Sequence, residues 1–169
     1  DCGYAIVRDA TAHHRAMQIA ASYLPARDGA RHPADYVPEL SRRARGFATW
    51  AMIRALGREG IAAMVSRHCA QARLFAQRFS RESDIEIMNE VVLNQIAIRL
   101  GTDLDAGVAD TLTQRTIERV QRDGECFVGG AEWRGRQIVR VSVISAGTTD
   151  ADIDRSADAI VSAWRAVRG

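Results

Sequence analysis

The chain has 169 residues, 47% of them hydrophobic and 26% charged, with a net charge of +2. Those proportions suit a folded domain with a real core and exclude a disordered or fibrous chain. So small a charge also argues against a strong nonspecific binder of phosphate backbones, so no nucleic-acid partner is expected. No apolar run approaches the ~20 residues that span a bilayer, and no membrane partner is expected. The opening DCGYAIVRD has neither a basic nor an apolar leader region, which points to a cytoplasmic protein. Cys2, Cys69 and Cys126 are odd in number and far apart, so reduced thiols are expected, with no disulfide framework and no metal site. All 23 lysine-plus-arginine residues are arginine. A chain without lysine cannot form a Schiff base with a carbonyl compound.

Residues 3–7 read as a short strand and 9–21 as a short helix. Residues 22–38 hold all three prolines, with Asp28, Gly29 and Asp35, and read as a long loop. From residue 40 to 56, Leu40, Ala44, Phe47, Ala48, Ala51 and Ala55 recur at helical spacing, ending at Gly57. A turn at 58–60 leads into a second helix, whose stripe of Ile61, Met64, Val65, His68, Ala72, Phe75 and Phe79 runs to about residue 79. Residues 85–88 and 91–100 read as strands, and 104–122 as a helix. Two strands at 126–133 and 137–144 flank Arg134-Gly135-Arg136 as a hairpin. Val139, Val141 and Val143 fall on one face of the last strand, Arg140 and Ser142 on the other. A final helix opens at Thr149-Asp-Ala-Asp152, an acidic capping box. From residue 84 onward the order predicts helices on one face of a largely antiparallel sheet.

Several segments resemble one family when taken together: DCGYAIVRD, Ser22-Tyr-Leu24, PELSRRARGFATW, RALGREGI and DGECFVGGAEWRGRQIVRVSVISAGTTDADID. In order and spacing they look like the group II pyridoxal-phosphate-dependent amino-acid decarboxylases, which include aromatic-amino-acid and glutamate decarboxylases. The resemblance implies an α/β architecture of the transferase fold type I, represented by its C-terminal portion. Residues 1–38 would be the tail of the large cofactor-binding domain with the catalytic loop, 39–83 two connecting helices, and 84–169 the small α+β domain. In that family a His-Lys pair leads into the segment resembling DCGY, and its lysine holds the cofactor. The resemblance therefore places the covalent lysine before Asp1, and the 169 residues alone would be inactive.

The same resemblance assigns roles residue by residue. Tyr23 would donate a proton to the substrate Cα, where a phenylalanine marks aldehyde-forming relatives; the plain alternative is an anchoring loop tyrosine. Residues 24–35 would form a lid. Ser41, and Arg42 beside it, would meet the cofactor phosphate across a homodimer interface made by the large domain and helix 40–56. A hydroxyl at a helix start is equally a simple cap. Arg43 and Arg45 read either as phosphate neighbours or as structural pairs, and Thr49 stands where the family carries a lysine. Arg140 would receive the carboxylate of a small amino-acid substrate, or else sit in a structural ion pair. A noncatalytic helical interaction module is the reading from a different class, and a pyridoxal-phosphate lyase or aldehyde-forming relative the one within the family.

Overall fold

The computed structural model describes residues 3–18, 32–39 and 43–169. The chain divides into two compact units, Asp1–Gly57 and Arg58–Gly169.

In the N-terminal unit, helix α1 (Ala10–Met17) starts where the Asp9 carboxylate accepts the Ala12 amide at 2.9 Å. This satisfies one of the donors that a first helical turn leaves open. Residues 3–7, expected as a strand, lie outside the four-stranded sheet and take no regular structure. Apolar alternation makes a strand only where a neighbouring strand takes up the backbone hydrogen bonds. A short 3-10 helix, Pro33–Tyr36, follows His32, whose Nδ1 accepts the Ala34 amide at 3.3 Å. Both His13 and His14 set their rings edge-on to Tyr36, at 5.5 and 5.8 Å between centroids. Among the described residues of this unit only Ala34 and Asp35 are buried.

Helix α2 (Arg45–Phe79) consists of two helical stretches that meet at Gly57, where φ is 63° and ψ −176°. Only glycine takes that conformation without strain, so the break falls at this residue. The turn expected over 58–60 is thus a single residue, and the helix resumes at once. Along the first half, Phe47, Trp50, Ile53 and Leu56 are exposed. In the second half, Ala72, Phe75 and Phe79 join the main core.

The C-terminal unit adds β1 (Ile85–Ile87), β2 (Gln95–Leu100), α3 (Ala106–Asp123), β3 (Gly129–Trp133), β4 (Arg136–Ser142) and α4 (Asp150–Arg168). The strands form one sheet in the order β1-β2-β4-β3, with every pairing antiparallel. Ile96 and Ile98 pair with Val141 and Val139, and Ile85 pairs with Leu100. These six side chains meet Val143, Val120, Ile153, Ile160 and Trp164 in the core.

Strand β2 begins four residues later than the apolar run at 91 suggests, because two asparagines take over the ladder there. Asn89 Oδ1 accepts the Ala97 amide at 2.8 Å, and Asn94 Nδ2 donates to the Val143 carbonyl at 2.9 Å. The β3–β4 hairpin turns on Arg134 and Gly135, both at positive φ (52° and 72°), the pattern that matches strand twist in tight hairpins. Helix α4 carries the expected capping box. The Thr149 hydroxyl accepts the Asp152 amide, and the Asp152 carboxylate accepts the Thr149 amide at 2.8 Å. Among the described residues no helix is long and apolar enough to cross a membrane.

Candidate active site

Three of the four residues singled out from the sequence, Tyr23, Ser41 and Arg42, lie outside the described residues. The fourth, Arg140, stands on β4, one of the two strands paired on both sides. It pairs with Ala97 of β2 and Gly129 of β3. Strand periodicity puts Arg140, Ile138 and Ser142 on the face opposite the valines, together with Ala97 and Arg99 of β2, Glu86 of β1 and Ala131 of β3. Arg140 is exposed and forms no ion pair with a described residue. Its guanidinium lies along β3, where a Cβ on Gly129 would stand 4.0 Å from it. A permanently charged planar fork with free donors is suited to a carboxylate.

Sequence reasoning passed over Arg99. It pairs with Glu86 across β1–β2, with a longest-reach contact of 3.8 Å. Its Nε is enclosed and meets no acceptor among the described residues. Arg136, at the strand's other end, is held by Asp110 at 3.2 Å and by the Ala106 carbonyl at 2.8 Å. The signal that could have found Arg99 is its two-residue offset from Ala97, but that offset matters only once β2 is known to lie beside β4.

The far end of β4 is fixed by helix α2. Arg67 donates to the Ala146 carbonyl at 3.1 Å, His68 Nε2 to Ser145 at 3.1 Å, and Gln71 to Thr148 at 2.8 Å. His68 and Gln71 are both buried. His68, read from the sequence as part of an apolar stripe, is a polar clamp on the β4–α4 turn. Beside this turn a cleft of about 240 Å³ is lined by Phe75, Cys126, Val128, Val143, Ser156 and Ile160, among others. Burial pushes the Cys126 thiol above its ordinary value, which favours the protonated form at neutral pH.

The conserved domain of the pyridoxal-dependent decarboxylases matches residues 1–101, well over half of the chain and across Gly57. The chain belongs to that family. Among its curated relatives, 3,4-dihydroxyphenylacetaldehyde synthase of Drosophila melanogaster is 27% identical over 91% of this chain and 30% of its own length. Aromatic-L-amino-acid decarboxylase of Drosophila lebanonensis is 26% identical over 69% of this chain and 28% of its own length. Among solved structures, mouse CSAD superposes with a TM-score of 0.75 at 18% identity, over 91% of this chain and 34% of that one. That likeness establishes the fold. The chain spans less than a third of the length of these two curated relatives.

The family's cofactor is a pyridoxal, and the residues present fit it only in part. No lysine occurs in the 169 residues, so a covalent attachment has to come from outside them. The segment proposed to meet the phosphate, at 41–42, lies outside the described residues.

Proposed function

We propose that these 169 residues are the C-terminal portion of a homodimeric, cytoplasmic decarboxylase that converts an L-amino acid into an amine and carbon dioxide. The observation that carries this reading is the decarboxylase domain match over residues 1–101. Pyridoxal phosphate, when bound, supplies the electron sink for the pair left on Cα as carbon dioxide departs. This chain's part is binding and proton delivery. Arg140 takes a substrate carboxylate on the open face of the sheet. Tyr23 hands a proton to Cα, and Ser41 with Arg42 meets the phosphate.

The dimer reading draws support from α2, where Phe47 is 70% and Trp50 57% exposed and the two rings lie 5.9 Å apart. Exposed aromatics grouped with Ile53 and Leu56 on one helix are the kind of surface that partners cover.

A second reading within the family is favoured by one observation, the 27% identity to an aldehyde-forming synthase over most of the chain. Tyr23 is the residue that separates the two. In the complete polypeptide, Tyr23→Phe is expected to retain the cofactor's absorbance while amine output gives way to aldehyde. Unchanged amine output would remove Tyr23 as the proton donor. Failure of the complete polypeptide to release carbon dioxide from any L-amino acid would overturn the decarboxylase reading itself.

A further inference from the structure

Three of the chain's four histidines stand on or beside α1 and the 3-10 helix Pro33–Tyr36. His13 and His14 leave α1 about 100° apart, yet both rings meet Tyr36 edge-on. His14 makes a second contact: its Nε2 lies 3.4 Å from Asp35 Oδ2, with the imidazole 37% and the carboxylate side chain 11% exposed. A carboxylate so far out of water needs polar partners. Helix α1 buries no residue, so apolar packing does not hold it. Polar and ring contacts from His13 and His14 instead join it to the 3-10 helix, which it touches along the backbone as well.

The two helices bracket residues 18–32. At the end of α1 the Gln18 amide donates to the His14 carbonyl at 2.8 Å, and at the start of the 3-10 helix the Asp35 amide donates to the His32 carbonyl at 3.1 Å. The join therefore fixes where the chain leaves α1 and where it enters the 3-10 helix. Tyr23, the proposed proton donor, belongs to the stretch between and lies outside the described residues. Proton transfer needs its two groups within hydrogen-bond reach, so a small displacement of the anchor carries a large kinetic cost.

We infer that His14, through Asp35 and Tyr36, is a positioning residue for Tyr23, fastening both ends of the segment that carries the proton donor. The inference rests on the reading of Tyr23 as that donor and adds the residues that hold it in place. In this role His14 touches neither substrate nor cofactor. It governs how often the proton reaches Cα, not how tightly substrate or cofactor binds.

Steady-state kinetics of the complete polypeptide test this, with amine and aldehyde both quantified and cofactor absorbance recorded. His14→Phe keeps a ring edge for Tyr36 and loses the contact to Asp35. It is expected to lower kcat about tenfold or more and to raise the aldehyde share, with KM and cofactor absorbance held within about twofold. His14→Gln, whose amide can still donate to Asp35, should restore most of the parent's kcat and product ratio. In a Tyr23→Phe background, His14→Phe should change neither measure further, because the residue it acts through is gone. An unchanged product ratio in His14→Phe would overturn the proposal, as would the same loss of kcat with and without the Tyr23 hydroxyl. If His14→Phe loses the cofactor, Asp35→Asn carries the same test, since it keeps the side chain's size and removes its charge; an unchanged product ratio there is equally decisive against it. Parental amine output from Tyr23→Phe removes the reading beneath, and the positioning role falls with it. A parental His14→Phe beside a Tyr23→Phe that makes aldehyde removes the positioning role alone.

Discussion

Asp84 ties three segments of the C-terminal unit together, and removing its carboxylate should show what one buried hydrogen bond is worth. Its Oδ2 accepts the Trp164 indole N–H at 2.7 Å and the Arg168 guanidinium at 2.5 Å. Its main-chain carbonyl accepts the Gly101 amide at 2.8 Å, which no side-chain change touches. Trp164 is 1% exposed, so water cannot replace a lost acceptor. Asp84→Ala strands the indole donor and should cost about 1–3 kcal/mol. Asp84→Asn keeps an oxygen for the indole and gives up only the charge facing Arg168, at the protein surface. It should therefore cost much less.

Urea unfolding followed by circular dichroism measures both, and the thermal midpoint should move about 4–8 °C for each kcal/mol in a unit of this size. The decisive comparison is a double-mutant cycle with Trp164→Phe, which removes the donor. In that background Asp84→Ala should lose most of its effect, giving a coupling of about 1–3 kcal/mol. The reasoning is refuted if Asp84→Asn is as damaging as Asp84→Ala. It is equally refuted if the alanine costs the same with phenylalanine at 164.

Gly101 has φ 68°, and a Cβ there would stand 3.0 Å from Leu104 Cδ1 and 3.1 Å from Trp164 Cη2. Gly101→Ala should cost about 2–4 kcal/mol, against about 1–2 for Gly124→Ala, which has similar φ but open space around it; equal losses in urea would rule out the crowding. Thr149, by its hydroxyl and amide, and then Arg155 hold the Asp152 carboxyl below the usual carboxylate range, and Arg168 does the same for Asp103. Groups depressed on folding stabilise fully above their unfolded value near ~4, and that contribution is lost as pH falls through the lower folded value. Asp152→Asn should therefore flatten the acid limb of the stability profile; an unchanged limb would exclude this residue as a source. Trypsin should cut within Asp1–Gly57 before it enters Arg58–Gly169, since the described part of the first unit buries only Ala34 and Asp35; first cuts inside β1–β4 or α4, read by mass spectrometry, would contradict this.

What was legible in the sequence is what local chemistry decides. The Thr149–Asp152 cap, the break at Gly57 and the Arg134-Gly135 hairpin were readable because each is settled by residues within a few positions of one another. The valine face of β4 followed from the two-residue period. The misplacements have equally local causes. Residues 3–7 have a strand pattern but no place in the sheet. The run at 91–94 has strand-forming side chains, yet Asn89 and Asn94 substitute their amides for ladder bonds. His68 fits an apolar stripe by spacing, and only the carbonyl of Ser145, 77 residues away, shows that its ring is used for a polar contact.

The site illustrates the same division more sharply. Arg140 could be picked out from one strand, since a lone cation among valines announces its own face. Arg99 could not, because its proximity depends on β2 lying next to β4, two strands separated in the chain by α3 and β3. Had β3 paired with β2 instead, the same residues would have placed Arg99 beside glycine and alanine, away from Arg140. The pairing of β2 with β4 also brings Ile96, Ile98, Val139 and Val141 into one core on the inner face. The same pairing thus governs the chemistry of the outer face and the packing of the inner one. Substitutions such as Ile98→Ala or Val139→Ala, which touch no polar group, would be expected to disturb the relation between the two arginines as well as the stability of the unit.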